Sequence, residues 1–180
     1  MDAISLLLKR QSHSKLIKPA PDLQAINTII AAGLRVPDHG HLSPFKFIII
    51  ENEGIIRLSE LFVKASPDAD EEKKRQVAAL PFRAPLIIAV IAKVVEHPKV
   101  PDWEQIVTAG CAVHAMQMAA FSLNFGGIWR SGAWCDNPVV KEAFECKERD
   151  KIVGFLYLGT PEGALKPLPS IDPNQHVSYF

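Results

Sequence analysis

The spacing of apolar residues alternates between helical and strand patterns along the chain, and it predicts an α+β fold built around a central sheet. Apolar residues three and four apart predict helices over 3–9, 23–33, 55–62, 103–125 and 137–144. Runs of β-branched and aromatic residues predict strands over 45–50, 86–91, 128–130 and 152–158. The run at 86–91 is apolar throughout, which is typical of a strand covered on both faces.

The boundaries of these helices rest on capping and stop residues. Ser66 with Pro67 predicts the start of a separate, charged helix, because serine is a favoured cap and proline suits the first helical position. Gly126 and Gly127 are expected to terminate the long helix. In the second helix the residues expected to point inward are Leu23, Ile26, Ile29 and Ile30.

The long helix is apolar around most of its circumference. It contains the small residues of 109–112, so another helix could approach its backbone closely. A helix without a polar face must be enclosed, either by its own domain or by a partner subunit.

Length, charge and cysteine content narrow the function classes. The 180 residues are expected to form a single domain, 1–180, with 20 basic and 20 acidic side chains. This balance argues against a nucleic-acid-binding protein, which needs a surplus of basic residues on one face. The three cysteines lack CxxC spacing, and polar residues interrupt the longest apolar run, so we expect a cytoplasmic protein without a membrane span.

The phosphate loops and nucleophile elbows of common enzymes are absent, and four polar clusters remain as candidate sites. The first, 10–15, combines cations and hydroxyls suited to a phosphate, although basic residues at a helix end also complement the helix dipole. The second, 35–41, contains Asp38, His39 and His41. Its alternatives are a metal site without a recognised third ligand, two solvated histidines, or donors from Arg35 and His39 to a planar polar ligand.

The third cluster, 129–133, follows a strand and contains small residues that let backbone N–H groups approach a ligand, and it is equally consistent with a sharp turn beside a core tryptophan. The fourth, Trp103-Glu104, lies at the start of the long helix, where a tryptophan more often packs than binds substrate.

Together these segments resemble the nitroreductase superfamily. The residues that carry the resemblance are 9–15, 31–39, 43–47, 125–132 and 154–161, in the family's order and over essentially the whole chain. The resemblance implies a central, mainly antiparallel sheet flanked by helices, in an intertwined homodimer with FMN at the subunit interface. It also implies ping-pong transfer of hydride from NADH or NADPH through flavin N5 to a nitroaromatic, quinone or similar small-molecule acceptor.

The resemblance also assigns residues. Arg10, Gln11 and Ser12 would hold the phosphate and ribityl chain, while Arg35 and His39 would contact the flavin of the other subunit. Backbone amides of Ser131, Gly132 and Ala133 would face flavin N5. The expected nicotinamide-cofactor contacts are Phe121, Ser122, Leu123, Asn124, Phe125 and Gly126. Because the flavin carries the chemistry, no catalytic side chain and no metal ligand are expected.

Some residues depart from the family pattern. Gln11 occupies the position of a second arginine, Pro44-Phe45 replaces a proline-tryptophan pair, and Lys166 is the only late cation, so FMN affinity is expected to be modest. Two other classes remain open. One is a flavin-binding or carrier protein with incidental reductase activity, and the other is a metal-dependent hydrolase built on Asp38, His39 and His41.

Overall fold

The computed structural model describes residues 2–163 and 167–180, and the described residues form a five-stranded sheet. Its strands are β1 (Leu16–Ile17), β2 (Phe45–Glu51), β3 (Leu86–Ala92), β4 (Gly126–Arg130) and β5 (Lys151–Pro161). Strand β5 pairs with β3, with β4 and, near its end, with β1, while β2 pairs with β3. Every one of these pairs is antiparallel, so the predicted α+β fold with a mainly antiparallel sheet is confirmed.

Helices flank this sheet. They are α1 (Ala3–Lys9), α2 (Leu23–Gly33), α3 (Glu53–Lys64), α4 (Glu71–Ala78), α5 (Asp102–Ser122), α6 (Ala133–Asp136) and α7 (Pro138–Ala143). Short 3-10 turns occupy His39–His41, Pro81–Arg83 and Pro173–Gln175. No helix among the described residues is long and apolar enough to cross a membrane.

Strand β3 separates two apolar cores. Ile87, Ala89 and Ile91 point into a core shared with α3 and α7, and the alternate residues point into a second core beneath α2 and α5. All seven residues of β3 are buried. The continuous apolar run at 86–91 is therefore explained, as predicted, by a strand covered on both faces.

The charged helix begins later than predicted. Ser66 does not cap it, because α4 begins at Glu71 and the carboxylate of Asp70 accepts a hydrogen bond from Lys73 N at 2.7 Å. Ser66 instead donates its hydroxyl to Phe62 O at 3.0 Å, at the end of α3. Serine can satisfy backbone groups at either end of a helix, so its presence alone did not identify the start.

Two further expectations were wrong in detail, and two short elements were not predicted. The long helix ends at Ser122, and Asn124 takes a left-handed conformation (φ 65°) where the chain turns, so Gly126 and Gly127 lie in β4 instead of terminating α5. Leu23 is exposed at the start of α2, although Ile26 and Ile29 are buried as expected. The short elements β1 and α6 were not predicted, because two to four residues carry no measurable period.

Candidate functional site

The segment after α1 is attached to the start of β4. His13 donates its backbone N–H to Gly127 O at 3.1 Å, and the same carbonyl accepts from Gln117 Nε2 of α5 at 3.0 Å. A Cβ atom on Gly126 would lie 3.1 Å from the His13 ring and 2.8 Å from Leu16. Glycine at 126 therefore allows the polar segment to pass directly over the strand.

Arg10, Gln11 and Ser12 lie at this attachment point with polar groups accessible. Ser12 is exposed and Arg10 is partly exposed, and Arg10 Nη1 lies 3.5 Å from Ser12 Oγ. Next to them the His13 ring stacks on Phe121 with a centroid distance of 6.5 Å. Burial, together with the charge of Arg10, lowers the pKa of His13. The local positive charge at neutral pH therefore comes from arginine and not from this histidine.

The other end of β4 presents exposed backbone. Ser131, Gly132 and Ala133 are exposed, and α6 begins immediately after Gly132. Gly132 has φ +108°, and a Cβ atom there would have no neighbour within 4 Å. Glycine is thus required by the backbone conformation and not by crowding, which leaves open space beside the chain at this point.

Trp129 and Arg130 point to opposite faces of β4. Trp129 packs on Gly110 of α5 and donates its Nε1–H to Val153 O at 3.2 Å, and Gly154 leaves the room for its indole ring. The Arg130 guanidinium lies 5.6 Å from the Tyr157 ring centroid on the other side. Trp129 is not a core residue, since 39% of its surface is exposed, and its indole ring is held by the contacts with Gly110 and Val153.

The cluster at 35–41 is held by α5. Thr108 donates its hydroxyl to Pro37 O at 3.3 Å, Ser43 N donates to Asp38 Oδ2 at 2.7 Å, and His39 Nδ1 lies 2.7 Å from Glu104 Oε2. Asp38 and His39 are thus engaged with protein groups. Within 2–163 and 167–180, no group of three or more His, Cys, Asp or Glu side chains could hold a metal ion.

The structure does not bring all the expected cofactor residues together within one chain. His13 lies against Phe121, near the end of α5, whereas Pro37 lies against Thr108, which precedes Phe121 by thirteen residues along the helix. At a rise of 1.5 Å per residue these points are about 20 Å apart. The residues at 10–12 and those at 35–39 therefore form two separate parts of the surface.

The segment 121–126 adjoins the first of these parts. Phe121 and Phe125 are partly buried, Gly126 is buried, and Leu123 and Asn124 are exposed. The hydroxyl of Ser122 is used within α5, where it donates to Ala119 O at 2.8 Å. Lys166, expected to be the only late cation, lies outside the described residues.

Sequence reasoning overlooked Gln117, which anchors the first cluster together with His13. His13, Glu104 and Arg130 lie inside the candidate clusters 10–15, 103–104 and 129–133, but their contacts were not predicted. Two buried side-chain nitrogens among the described residues lack a hydrogen-bond partner, His13 Nδ1 and Arg130 Nε, and they lie at opposite ends of β4. A glutamine inside an apolar helix was the one signal available in advance, since buried amides need partners.

The cysteines do not supply a nucleophile at the third cluster. Burial, with a smaller contribution from the charge of Asp136, raises the pKa of Cys135 to about 11. Its thiol is therefore protonated at neutral pH and unreactive. All three cysteines are free.

Apolar surface is exposed on α1 and α5. Helix α1 buries none of its residues and exposes Ile4, Leu7 and Leu8. On α5, Val107 is 54% exposed beside an apolar concavity of about 630 Å³ that Gly110 and Trp129 also line. These exposed apolar side chains make α1 and α5 candidates for an interaction surface.

Comparison with known proteins identifies the family to which this chain is related. A model of the nitroreductase family matches residues 7–160. The chain is 52% identical to the Escherichia coli (strain K12) protein named "Putative NAD(P)H nitroreductase YdjA" and 40% identical to a Haemophilus influenzae protein named "Putative NAD(P)H nitroreductase", with all of each chain covered in both cases.

Solved structures show the same fold. A nitroreductase-like family protein from Bacillus cereus superposes with a TM-score of 0.87 at 18% identity, covering 100% of this chain and 96% of the other. A Bacteroides fragilis nitroreductase with bound FMN superposes with a TM-score of 0.75 at 22% identity, with both chains fully covered. The fold is thus that of the nitroreductases. The chain belongs to the nitroreductase family, which is a family of oxidoreductases.

Proposed function

We propose that this protein is an FMN-dependent NAD(P)H oxidoreductase that transfers hydride by a ping-pong mechanism to a nitroaromatic, quinone or similar small molecule. It acts as a single domain, 1–180, in a homodimer. The full-length relatives named as NAD(P)H nitroreductases support the reaction class. The three free cysteines agree with a cytoplasmic location.

The observation that carries the proposal is the arrangement of donors along β4. Arg10 and Ser12 lie at its start, and the exposed amides of 131–133 lie past its end. Five residues of strand separate them by about 16 Å, at about 3.3 Å per residue. An elongated ligand with a phosphate at one end and a polar ring system at the other suits this spacing.

The donor set also fits FMN chemically. Guanidinium and hydroxyl groups at 10–12 suit a phosphate and its ribityl chain. The unpartnered nitrogens of His13 and Arg130 flank the same strand, and buried polar atoms usually have partners, so a ligand that contacts them would remove an unfavourable arrangement. When bound, FMN supplies the hydride-transfer chemistry at N5.

The remaining steps belong to the chain's own residues. Backbone N–H groups of Ser131, Gly132 and Ala133 would donate toward the edge of the ring system, where fixed dipoles stabilise added negative charge. The segment 121–126 would contact NADH or NADPH next to the phosphate cluster. No side chain in the described site is required as nucleophile or general base.

The dimeric site rests on the resemblance to the family and on exposed apolar surface. Arg35 and His39 lie about 20 Å along α5 from the 10–12 cluster of the same chain, and the resemblance assigns them to the FMN of a second copy. The exposed apolar residues of α1 and the concavity on α5 provide surface for that contact. An intertwined homodimer would cover both.

Direct FMN titration tests the proposed phosphate cluster. Arg10→Ala should weaken FMN binding at least tenfold while the protein remains folded, because a charge-assisted contact to phosphate contributes about 1.5–3 kcal/mol. Quenching of FMN fluorescence measures the affinity, and Lys9→Ala provides the matched control, an exposed cation at the adjacent position. Undiminished FMN affinity in Arg10→Ala would show that the phosphate lies elsewhere.

A further inference from the structure

The loop that carries His39 is held in a fixed conformation. His41 and Ser43 adopt left-handed backbone conformations, with φ of 53° and 48°. Such conformations are costly for residues other than glycine, and they persist only where surrounding contacts hold them. Here the contacts are the hydrogen bond from Ser43 N to Asp38 and that from Thr108 to Pro37 O. The His39 ring therefore extends from a rigid base.

Glu104 contacts one specific nitrogen of this ring. Its Oε2 lies 2.7 Å from His39 Nδ1, from the first turn of α5. An ionised carboxylate can only accept hydrogen bonds, so the hydrogen in this contact resides on Nδ1. In the neutral ring the other nitrogen, Nε2, then carries no hydrogen and can only accept. The side chain of His39 is 58% exposed, so Nε2 is available to a ligand.

We propose that Glu104 is a positioning residue that fixes His39 as the Nδ1–H tautomer, so that Nε2 accepts a hydrogen bond from the FMN of the partner subunit. This inference rests on the proposed function. The group that meets Nε2 must be a donor, and the donors of oxidised FMN are its N3–H and its ribityl hydroxyls. Toward the neutral ring, an ionised phosphate has no hydrogen to donate and is therefore not the partner of His39 Nε2.

The neighbouring acidic residue provides a matched comparison. Asp102 precedes Glu104 by two residues and pairs with Arg149, whose Nη1 lies 3.2 Å from Asp102 Oδ1. No contact links Asp102 to His39. Asp102→Asn therefore removes one negative charge from the same turn of α5 without touching the histidine.

Nitrogen NMR of the full-length protein tests the tautomer directly. With ¹⁵N-histidine labelling, and with His39→Gln to assign the signal, the neutral His39 ring should show Nδ1 protonated in wild type. Glu104→Ala should shift the population toward the Nε2–H form. Glu104→Gln should largely retain the wild-type tautomer because its amide oxygen still accepts, and Asp102→Asn should leave it unchanged. A wild-type ring protonated at Nε2, or an unchanged signal in Glu104→Ala, would overturn the assignment.

FMN fluorescence titration of the same variants tests the cofactor contact. Glu104→Ala should weaken FMN binding about three- to tenfold, the effect of one neutral hydrogen bond of about 1 kcal/mol, and Asp102→Asn should not. Unchanged affinity in Glu104→Ala would refute the contact with FMN even if the tautomer is as described. If no variant and no wild-type protein binds FMN, the proposed function fails, while the NMR result still decides the role of Glu104.

Discussion

Asp150 shows how a single buried side chain fixes the loop that leads into β5. Its Oδ1 accepts from Val94 N at 3.1 Å, and its Oδ2 accepts from Lys147 N at 2.8 Å and pairs with Lys93 Nζ. Burial alone would raise the pKa of this carboxyl, but the hydrogen bonds from Lys93, Lys147 and Val94 outweigh it and lower the pKa below 3.8. The ionised form is therefore the one that the fold stabilises.

The lowered pKa of Asp150 predicts a specific pH dependence. A carboxyl with a depressed folded-state pKa stabilises the fold fully above its unfolded pKa of about 3.9, and this contribution is lost as the pH falls through the folded value. Asp150→Asn should reduce the free energy of unfolding at pH 7 by on the order of 3 kcal/mol. The difference from wild type should shrink below about pH 4.

Urea denaturation across this pH range measures the effect. Glu145→Gln is the control, because Glu145 pairs with Lys46 at 2.9 Å but is exposed, and it should change stability far less. A wild-type-to-Asn difference that stays constant from pH 7 to about pH 3 would contradict the role assigned to Asp150.

At the same scale, the sequence predicted which loops carry polar clusters but not which side chains orient them. Glu104 was noticed only as the neighbour of Trp103, because its partner His39 lies 65 residues away. Arg130 belonged to the candidate cluster 129–133, but neither its unpartnered Nε nor its position beside the Tyr157 ring could be predicted. Local sequence patterns contain no information about contacts of this range.

At the scale of elements, the sequence predicted well wherever a period ran for several turns. Helices α2, α3, α5 and α7 and strands β2, β3 and β5 were all located. Boundaries failed where more than one residue could cap or stop a helix, as at Ser66 and at Gly126. Local hydrogen bonds at Ser66 and Asp70 and the left-handed conformation of Asn124 decided those cases.

The corrected start of α4 predicts the effect of removing its cap. Asp70→Ala should lower the free energy of unfolding by about 1 kcal/mol, because Lys73 N loses its acceptor and the first turn loses a negative charge. Thermal denaturation followed by circular dichroism measures the change. Asp68→Ala, an exposed carboxylate two residues earlier, is the control. Equal effects of the two substitutions would argue against Asp70 as the cap.

At the scale of the whole molecule, one chain presents two halves of a proposed site at opposite ends of α5. The expectation that the long helix must be enclosed is only partly met within the chain, since Ala109, Ala112 and Met116 are fully buried while Val107 is exposed. The remaining apolar surface is where we place the second copy. Only the resemblance to the family, and no local pattern of the sequence, assigned Arg35 and His39 to the site of another subunit.

A charged side chain in place of Val107, on the exposed apolar surface of α5, should separate the subunits of the proposed dimer. Val107→Glu should convert the dimer to monomer and abolish stoichiometric FMN binding, because burying an unpaired carboxylate in an apolar contact costs several kcal/mol. Light scattering after size-exclusion chromatography gives the mass, and FMN fluorescence gives the occupancy. Ile56→Glu on α3 is the control, being 50% exposed on another surface. A Val107→Glu protein that stays dimeric would place the interface elsewhere.

The absorbance spectrum of the purified protein, recorded anaerobically before and after addition of NADPH or NADH, tests the central claim most directly. We expect flavin bands, either as purified or after addition of FMN, that bleach with the reductant and return when an acceptor is added. Flavin that binds but stays oxidised would contradict the proposed oxidoreductase and favour a flavin carrier. A colourless protein that also fails to bind added FMN would contradict the whole assignment of the site.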